Sequence, residues 1–225
     1  HLAVNENGQM YSWGSDDFGQ LGRSGSSDAV EPVIFPASGN VIHCYAGAHH
    51  SFALDSSGNA YAWGRNIFGQ LGDGSTISKD MPVQVVAEEP LTKIAAGADH
   101  ALALGASGNI YAFGSNGFEQ THSPATVILY PIGAPGVWVD IAAGDFHSGA
   151  VDQNGDLYLW GKNYHGQSGN VGMARVGAPT LVGSGGWSSL QLGSAYSLAI
   201  SAAGNLLGRG DASFGQLGAM MSDIG

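Results

Sequence analysis

An all-β propeller built from four-stranded blades is the fold class this sequence predicts, on three observations. Glycine supplies 37 of the 225 residues, more than twice the usual share of about 7%, so the chain is dense in turns. Only 11% of residues are charged while 44% are hydrophobic, which is enough to build a core and argues against disorder. Above all, the same landmarks return every 47–50 residues, and a period of that length signals stacked supersecondary units.

The landmarks come in a fixed order. One is an aromatic-x-Trp-Gly segment: Tyr11/Trp13/Gly14, Tyr61/Trp63/Gly64, Tyr111/Phe113/Gly114, Tyr158/Trp160/Gly161, and the degenerate Leu207-Gly208-Arg209-Gly210. After it comes a Phe-Gly-Gln-Leu-Gly segment, at Phe18–Gly22, Phe68–Gly72, Phe118–Thr121, His165–Gly169 and Phe214–Gly218. The third is Ala-Gly-x-x-His, at Ala46–His50, Ala96–His100 and Ala143–His147, with Leu192–Tyr196 as a degenerate copy and His1 in register with the histidines.

Within one repeat the apolar pattern has the period of two that strands require. Val41–Ala46 reads as a first strand and Ser51–Leu54 as a second. Asp55–Asn59 is a hairpin connection, Ala60–Trp63 a third strand and Met81–Val86 an outer fourth. Pro82 suits an edge position, where its missing N–H costs nothing. Four short strands per ~50 residues make a propeller blade. The chain divides into units of roughly 1–40, 41–90, 91–137, 138–186 and 187–225, about 4.5 blades of a single partial propeller domain.

These residues resemble the repeats of the regulator of chromosome condensation family, whose blades carry Ala-Gly-x-x-His-Ser, Gly-x-Tyr-x-Trp-Gly and Gly-Gln-Leu-Gly. The resemblance spans nearly the whole chain and implies a seven-bladed ring. The chain is then expected to be an arc of four to five blades, its open ends covered by further chain or by a partner. A plant ultraviolet receptor of the family gathers tryptophans in Gly-Trp-x-x-x loops. Here the loop landmark reads Gly47-Ala48, Gly97-Ala98, Gly144-Asp145 and Gly193-Ser194, which does not support a chromophore cluster.

The repeated His50, His100 and His147 invite a metal reading, but equivalent positions on neighbouring blades stand too far apart to share an ion whose ligands lie about 2 Å away. A structural role, with the imidazole bonded to neighbouring backbone, is expected instead, and likewise for Gln20, Gln70, Gln120, Gln167 and Gln216, whose amides can satisfy loop backbone groups. Trp13, Trp63 and Trp160 are expected between blades, and Trp138 and Trp187 at strand entries. Asp152–Asp156 looks faintly like a calcium loop. It lacks the later bidentate glutamate and aligns with the Asp55–Asn59 hairpin, so it reads as turn chemistry.

No nucleophile elbow, Walker loop or His-Glu-x-x-His segment occurs, so the sequence points to no enzyme and no cofactor. Its 7 basic against 18 acidic residues, a net charge of −11, disfavour direct nucleic-acid binding. No run of 18 apolar residues marks a membrane span. The single cysteine, Cys44, cannot close an intrachain disulfide.

If the four strands of each blade alternate in direction, the loops after Ala-Gly and after Trp-Gly open on one face. That face gathers Asp16, Asp17, His49, Arg65, Asn66, Asp99, Asn116, Asp145, Phe146, Lys162, Asn163, Tyr164 and Asp211, read here as nonrepeating positions and as candidate binding residues. The hairpins at Asn7, Ser57, Ser107 and Asn154 form a blander opposite face. Variable loops on a rigid scaffold suit recognition, so a noncatalytic propeller that binds a protein partner is the expectation. The resemblance implies a rival, guanine-nucleotide exchange on a small GTPase. It also allows a secreted inhibitor or surface adhesin.

Overall fold

The structure is a computed structural model that describes residues 1–23, 29–35, 40–122, 126–132, 136–169 and 172–218, and for 126–131 the backbone alone. The predicted end of the fifth unit, Gly225, lies outside them. Among the described residues there are eighteen strands and no helix.

The strands form five antiparallel sheets in chain order. Blade 1 holds β1 (Leu2–Val4), β2 (Met10–Ser12) and β3 (Glu31–Pro32). Blade 2 holds β4 (Val41–Ala46), β5 (His50–Asp55), β6 (Ala60–Gly64) and β7 (Lys79–Gln84). Blade 3 holds β8 (Leu91–Ala96), β9 (His100–Gly105), β10 (Ile110–Gly114) and β11 (Thr126–Pro131). Blade 4 holds β12 (Trp138–Ala143), β13 (His147–Asp152), β14 (Leu157–Lys162) and β15 (Arg175–Gly183). Blade 5 holds β16 (Trp187–Leu192), β17 (Tyr196–Ser201) and β18 (Leu206–Gly210). Each sheet is a meander of sequential neighbours, and among the described residues no sheet joins strands from the two ends. The chain is a partial propeller, as its repeats predict.

Within each blade every strand pairs antiparallel with the next in the chain, as strands joined by direct connections can. At the first strand of blades 2 to 5 the register slips once, between Val41 and His43, Leu91 and Lys93, Trp138 and Asp140, and Trp187 and Ser189. A bulge at the same place in every blade adds twist there. Pro82 lies in β7 where pairing with β6 is interrupted, between the Ala62–Val83 and Gly64–Lys79 partners, so its missing N–H breaks no ladder bond.

Blades stack face to face, which is why β5, β9 and β13 are buried along all six residues instead of alternating. Among the described residues the core is four clusters, one for each junction. Met10, Val41, Ala53 and Trp63 fill junction 1/2, and Phe52, Leu54, Ala101 and Phe113 fill junction 2/3. Leu102, Ile141 and Trp160 fill junction 3/4, and Leu159, Leu190 and Leu207 fill junction 4/5. Trp63 and Trp160 are fully buried between blades, and Trp138 is buried at the start of β12, edge-on to Tyr158.

Candidate functional site

The loop face is organised by one polar clamp repeated at the blade junctions. In blade 4, the Ser148 hydroxyl and the Trp160 indole N–H both donate to the Gln120 carbonyl oxygen of blade 3, each at 2.8 Å. Ser51 and Trp63 hold Gln20 in the same way. In blade 5, Ser197 donates to the Gln167 carbonyl oxygen and Arg209 to that of Gly169. The buried histidines complete the clamp, with His100 Nε2 at 3.0 Å from Ser148 Oγ and His147 Nε2 at 3.0 Å from Ser197 Oγ.

Because each serine proton is committed to a glutamine carbonyl, the histidine must be the donor and carries its proton on Nε2. For His100 and His147 the next blade's serine hydroxyl is the side-chain partner, the acceptor the stacking brings within reach, while the backbone of His100 and Tyr196 acts on His50 and His147. Burial above all pushes the imidazoles down, His50 to about 4, His100 to about 3 and His147 to about 4, so all three are neutral near pH 7.

The loop after each third strand is tied by two side chains. The Gln20, Gln70, Gln120, Gln167 and Gln216 amide oxygens accept from the backbone N–H two residues earlier. Asp16, Asn66, Asn116 and Asn163 each accept from the N–H five residues later. These four candidates are therefore not the nonrepeating positions the sequence reading took them for. They occupy one repeat position, and Asn66 and Asn163 are buried. The Asn66 amide also donates to Asp73, Ser75 and Ile77. Their identical offset from the preceding glycine was the signal that could have revealed this.

Six of the nine remaining candidates form two groups. At junction 1/2, Arg65 lies over the rings of Phe18 and Phe68, 5.4 and 5.6 Å from their centroids, and His49 packs on Phe18. Arg65 also reaches Asp99 of blade 3 at 2.6 Å. At junction 3/4, the Lys162 ammonium lies 5.2, 4.9 and 5.5 Å from the centroids of Phe118, Phe146 and Tyr164. Asp17 and Asp211 accept from Ser15 and Ser213, and Asp145 from Ser194. Sequence reasoning missed Phe18, Phe68 and Phe118, which it took as repeat landmarks. Phe18 and Phe68 stay two-fifths exposed, and no periodicity distinguishes a repeated ring that packs from one that faces solvent.

A cavity of about 690 Å³ opens at junction 4/5, lined by Asn163, Tyr164, His165, Met173, Arg209 and Gly210. On the opposite face, Asp55 and Asp152 cap their hairpins by accepting two backbone N–H groups each. Asp152 thus serves the turn.

The repeated blades and the clamps between them define a repeat-built β-propeller. The sequence matches the RCC1-like domain family over residues 1–224, and the chain belongs to that family. Over 55 residues it is 44% identical to the mouse E3 ubiquitin-protein ligase HERC2 and 42% to the human one, a match of 24% of this chain and 1% of each relative's length. Saccharomyces cerevisiae Prp20p, solved in a study of its binding to Gsp1p and histones, superposes with a TM-score of 0.86 at 26% identity, over 96% of this chain and 56% of that one. Human WBSCR16 shares the fold, with a TM-score of 0.87 at 20% identity, over 99% of this chain and 62% of that one. The chain thus spans little more than half the length of these propellers.

Proposed function

We propose that this chain is a noncatalytic recognition propeller that binds a protein partner with its loop face. The observation that carries the reading is the pair of cation–aromatic groups around Arg65 and Lys162. They present exposed rings and charge on loops that the Asn, Gln and His clamps hold rigid, and aromatic and cationic side chains are the usual anchors of protein interfaces. Prp20p, similar over most of this chain, is itself a protein binder. The test is site-specific photo-crosslinking, with a benzophenone side chain at Tyr164 on the loop face or at Ser107 on the hairpin face, in extract of the source cells. Adducts from Tyr164 and none from Ser107 are expected. Equal labelling from both faces, or none from Tyr164, would overturn the reading.

The similarity to Prp20p, which binds Gsp1p, favours one second reading, nucleotide exchange on a small GTPase. No insertion longer than a few residues interrupts the repeat register, so a long wedge loop is not part of the described arc. Nucleotide release from a GTPase panel discriminates: acceleration supports exchange, and its absence leaves recognition alone.

A further inference from the structure

Comparing one repeat position across the four junctions isolates a seat whose lining is built and whose occupant the chain does not supply. The position before each buried histidine, or its tyrosine equivalent, is His49, Asp99, Phe146 and Ala195 in blades 2 to 5. At junction 2/3 the Asp99 carboxylate fills the seat. Its Oδ1 accepts from Arg65 at 2.6 Å and from the Gln70 amide nitrogen at 3.3 Å.

By repeat position, junction 4/5 carries both donors. Lys162 stands at the Arg65 position and Gln167 at the Gln70 position, but Ala195 replaces the aspartate. Gln167 is fully buried, and its Nε2 has no hydrogen-bond partner. Lys162 makes no ion pair among the described residues and is held instead by the three rings of Phe118, Phe146 and Tyr164. Gln120 Nε2 is also without a partner, but the equivalent position there is Phe146, an apolar residue where junction 2/3 has its carboxylate. Asp145, the nearby acid, has one carboxylate oxygen engaged by the Ser194 hydroxyl.

A buried amide donor is unfavourable when left unmatched, and a carboxylate would answer it while drawing on the Lys162 charge. We propose that Lys162, Gln167 and the space above Ala195 form a seat for the carboxylate of an aspartate or glutamate side chain on the partner protein. The ligand class comes from the chain itself, because the equivalent seat at junction 2/3 holds a carboxylate on the same two donor positions. The three rings fix the ammonium in advance, which lowers the entropy cost of engaging it. This deepens the loop-face reading and rests on it only for the statement that the carboxylate arrives on a protein.

The experiment separates the two. Side-chain amide resonances of the 225-residue chain are followed by NMR while a glutamate-containing tetrapeptide, blocked at both ends, is added at constant ionic strength against sodium chloride. Its glutamine counterpart and inorganic phosphate are titrated in parallel. Saturable movement of the Gln167 amide by the glutamate peptide alone is expected, with Gln70 unmoved. Lys162→Gln should weaken the response at least tenfold. Ala195→Asp should abolish it and raise the melting temperature, since it supplies the carboxylate from within. No saturable shift at Gln167, equal shifts from the glutamine peptide, a response to phosphate alone, or an unchanged response in Ala195→Asp would each overturn the proposal. Absent crosslinks from Tyr164 with a saturating peptide response would instead overturn the loop-face reading and leave the seat standing.

Discussion

An imidazole buried between blades resists protonation, and this fixes how the protein responds to acid. His50, His100 and His147 have folded values of about 4, 3 and 4 against an ordinary 6.5, with burial the leading cause. Above pH 6.5 both folded and unfolded chains hold them neutral, so they contribute no pH dependence. Below it the unfolded chain takes up protons that the folded chain refuses, so stability falls, and the fall ends once pH passes the folded values. Each histidine contributes about 1.4 kcal/mol per pH unit inside that window. Urea unfolding at pH 7, 6 and 5 should show a slope approaching ~4 kcal/mol per unit, and His100→Gln should remove about a third of it. A flat profile would mean that the rings are not buried and neutral. Glu89 acts lower down. Burial works against its charge, but bonds from Tyr111, Ser107 and Asn109 bring it to about 2, so its stabilisation is present above its ordinary 4.5 and fades as pH falls toward 2.

The junction is the element that decides blade cohesion, and the four are not equal. Ser51 and Trp63, and Ser148 and Trp160, donate to the glutamine carbonyl of the preceding blade. At junction 2/3 Ala101 and Phe113 replace serine and tryptophan together, leaving His50 with both ring nitrogens unpartnered. The packing there is apolar, with Phe52 edge-on to Phe113 at 6.0 Å. Ala101→Ser should restore an acceptor for His50 and a donor for Gln70, and raise stability by about 1 kcal/mol. Ser148→Ala should cost about 1–3 kcal/mol, because His100 keeps a buried donor with nothing to accept it. Chemical denaturation of both variants checks the pair, and equal effects of one sign would count against the clamp. Asn66→Ala should cost about 3 kcal/mol through the same logic, since one amide holds a turn and three loop groups. The blades, their strands and the inter-blade tryptophans were legible because each repeats in register. The clamp's acceptors were not, since a carbonyl oxygen has no letter in the sequence. The Asp16, Asn66, Asn116 and Asn163 position was legible but misread, because the sequence reading placed Asp and Asn with varied neighbours on an outward face. The Lys162 and Gln167 pairing depended on which blade faces which, and only stacking reveals that.

At the scale of the whole molecule, stability is a sum over neighbours. Each core cluster joins two blades, and none spans three, so an interior blade is held on both faces and a terminal one on a single face. In such quasi-one-dimensional arrays the ends open before the middle. Burial follows the same order: β9 and β13 are buried at every residue, while β17 leaves Ile200 half-exposed and β18 begins with an exposed Leu206. One polar link runs against this grain. Lys93 of blade 3 pairs with Asp140 of blade 4, whose other oxygen accepts from the Leu190 N–H of blade 5, so a single carboxylate ties three blades together. Hydrogen exchange on the 225-residue chain should therefore show amides of β9 and β13 slowest. Those of β1 and β18 should exchange at least tenfold faster, with β16 slower than β18. Asp140→Asn keeps the shape of the side chain and removes its charge, weakening the grip on Lys93. It should speed exchange in blade 5 while leaving blade 2 unchanged, and uniform acceleration across all blades would show that the arc opens as one unit rather than from its ends.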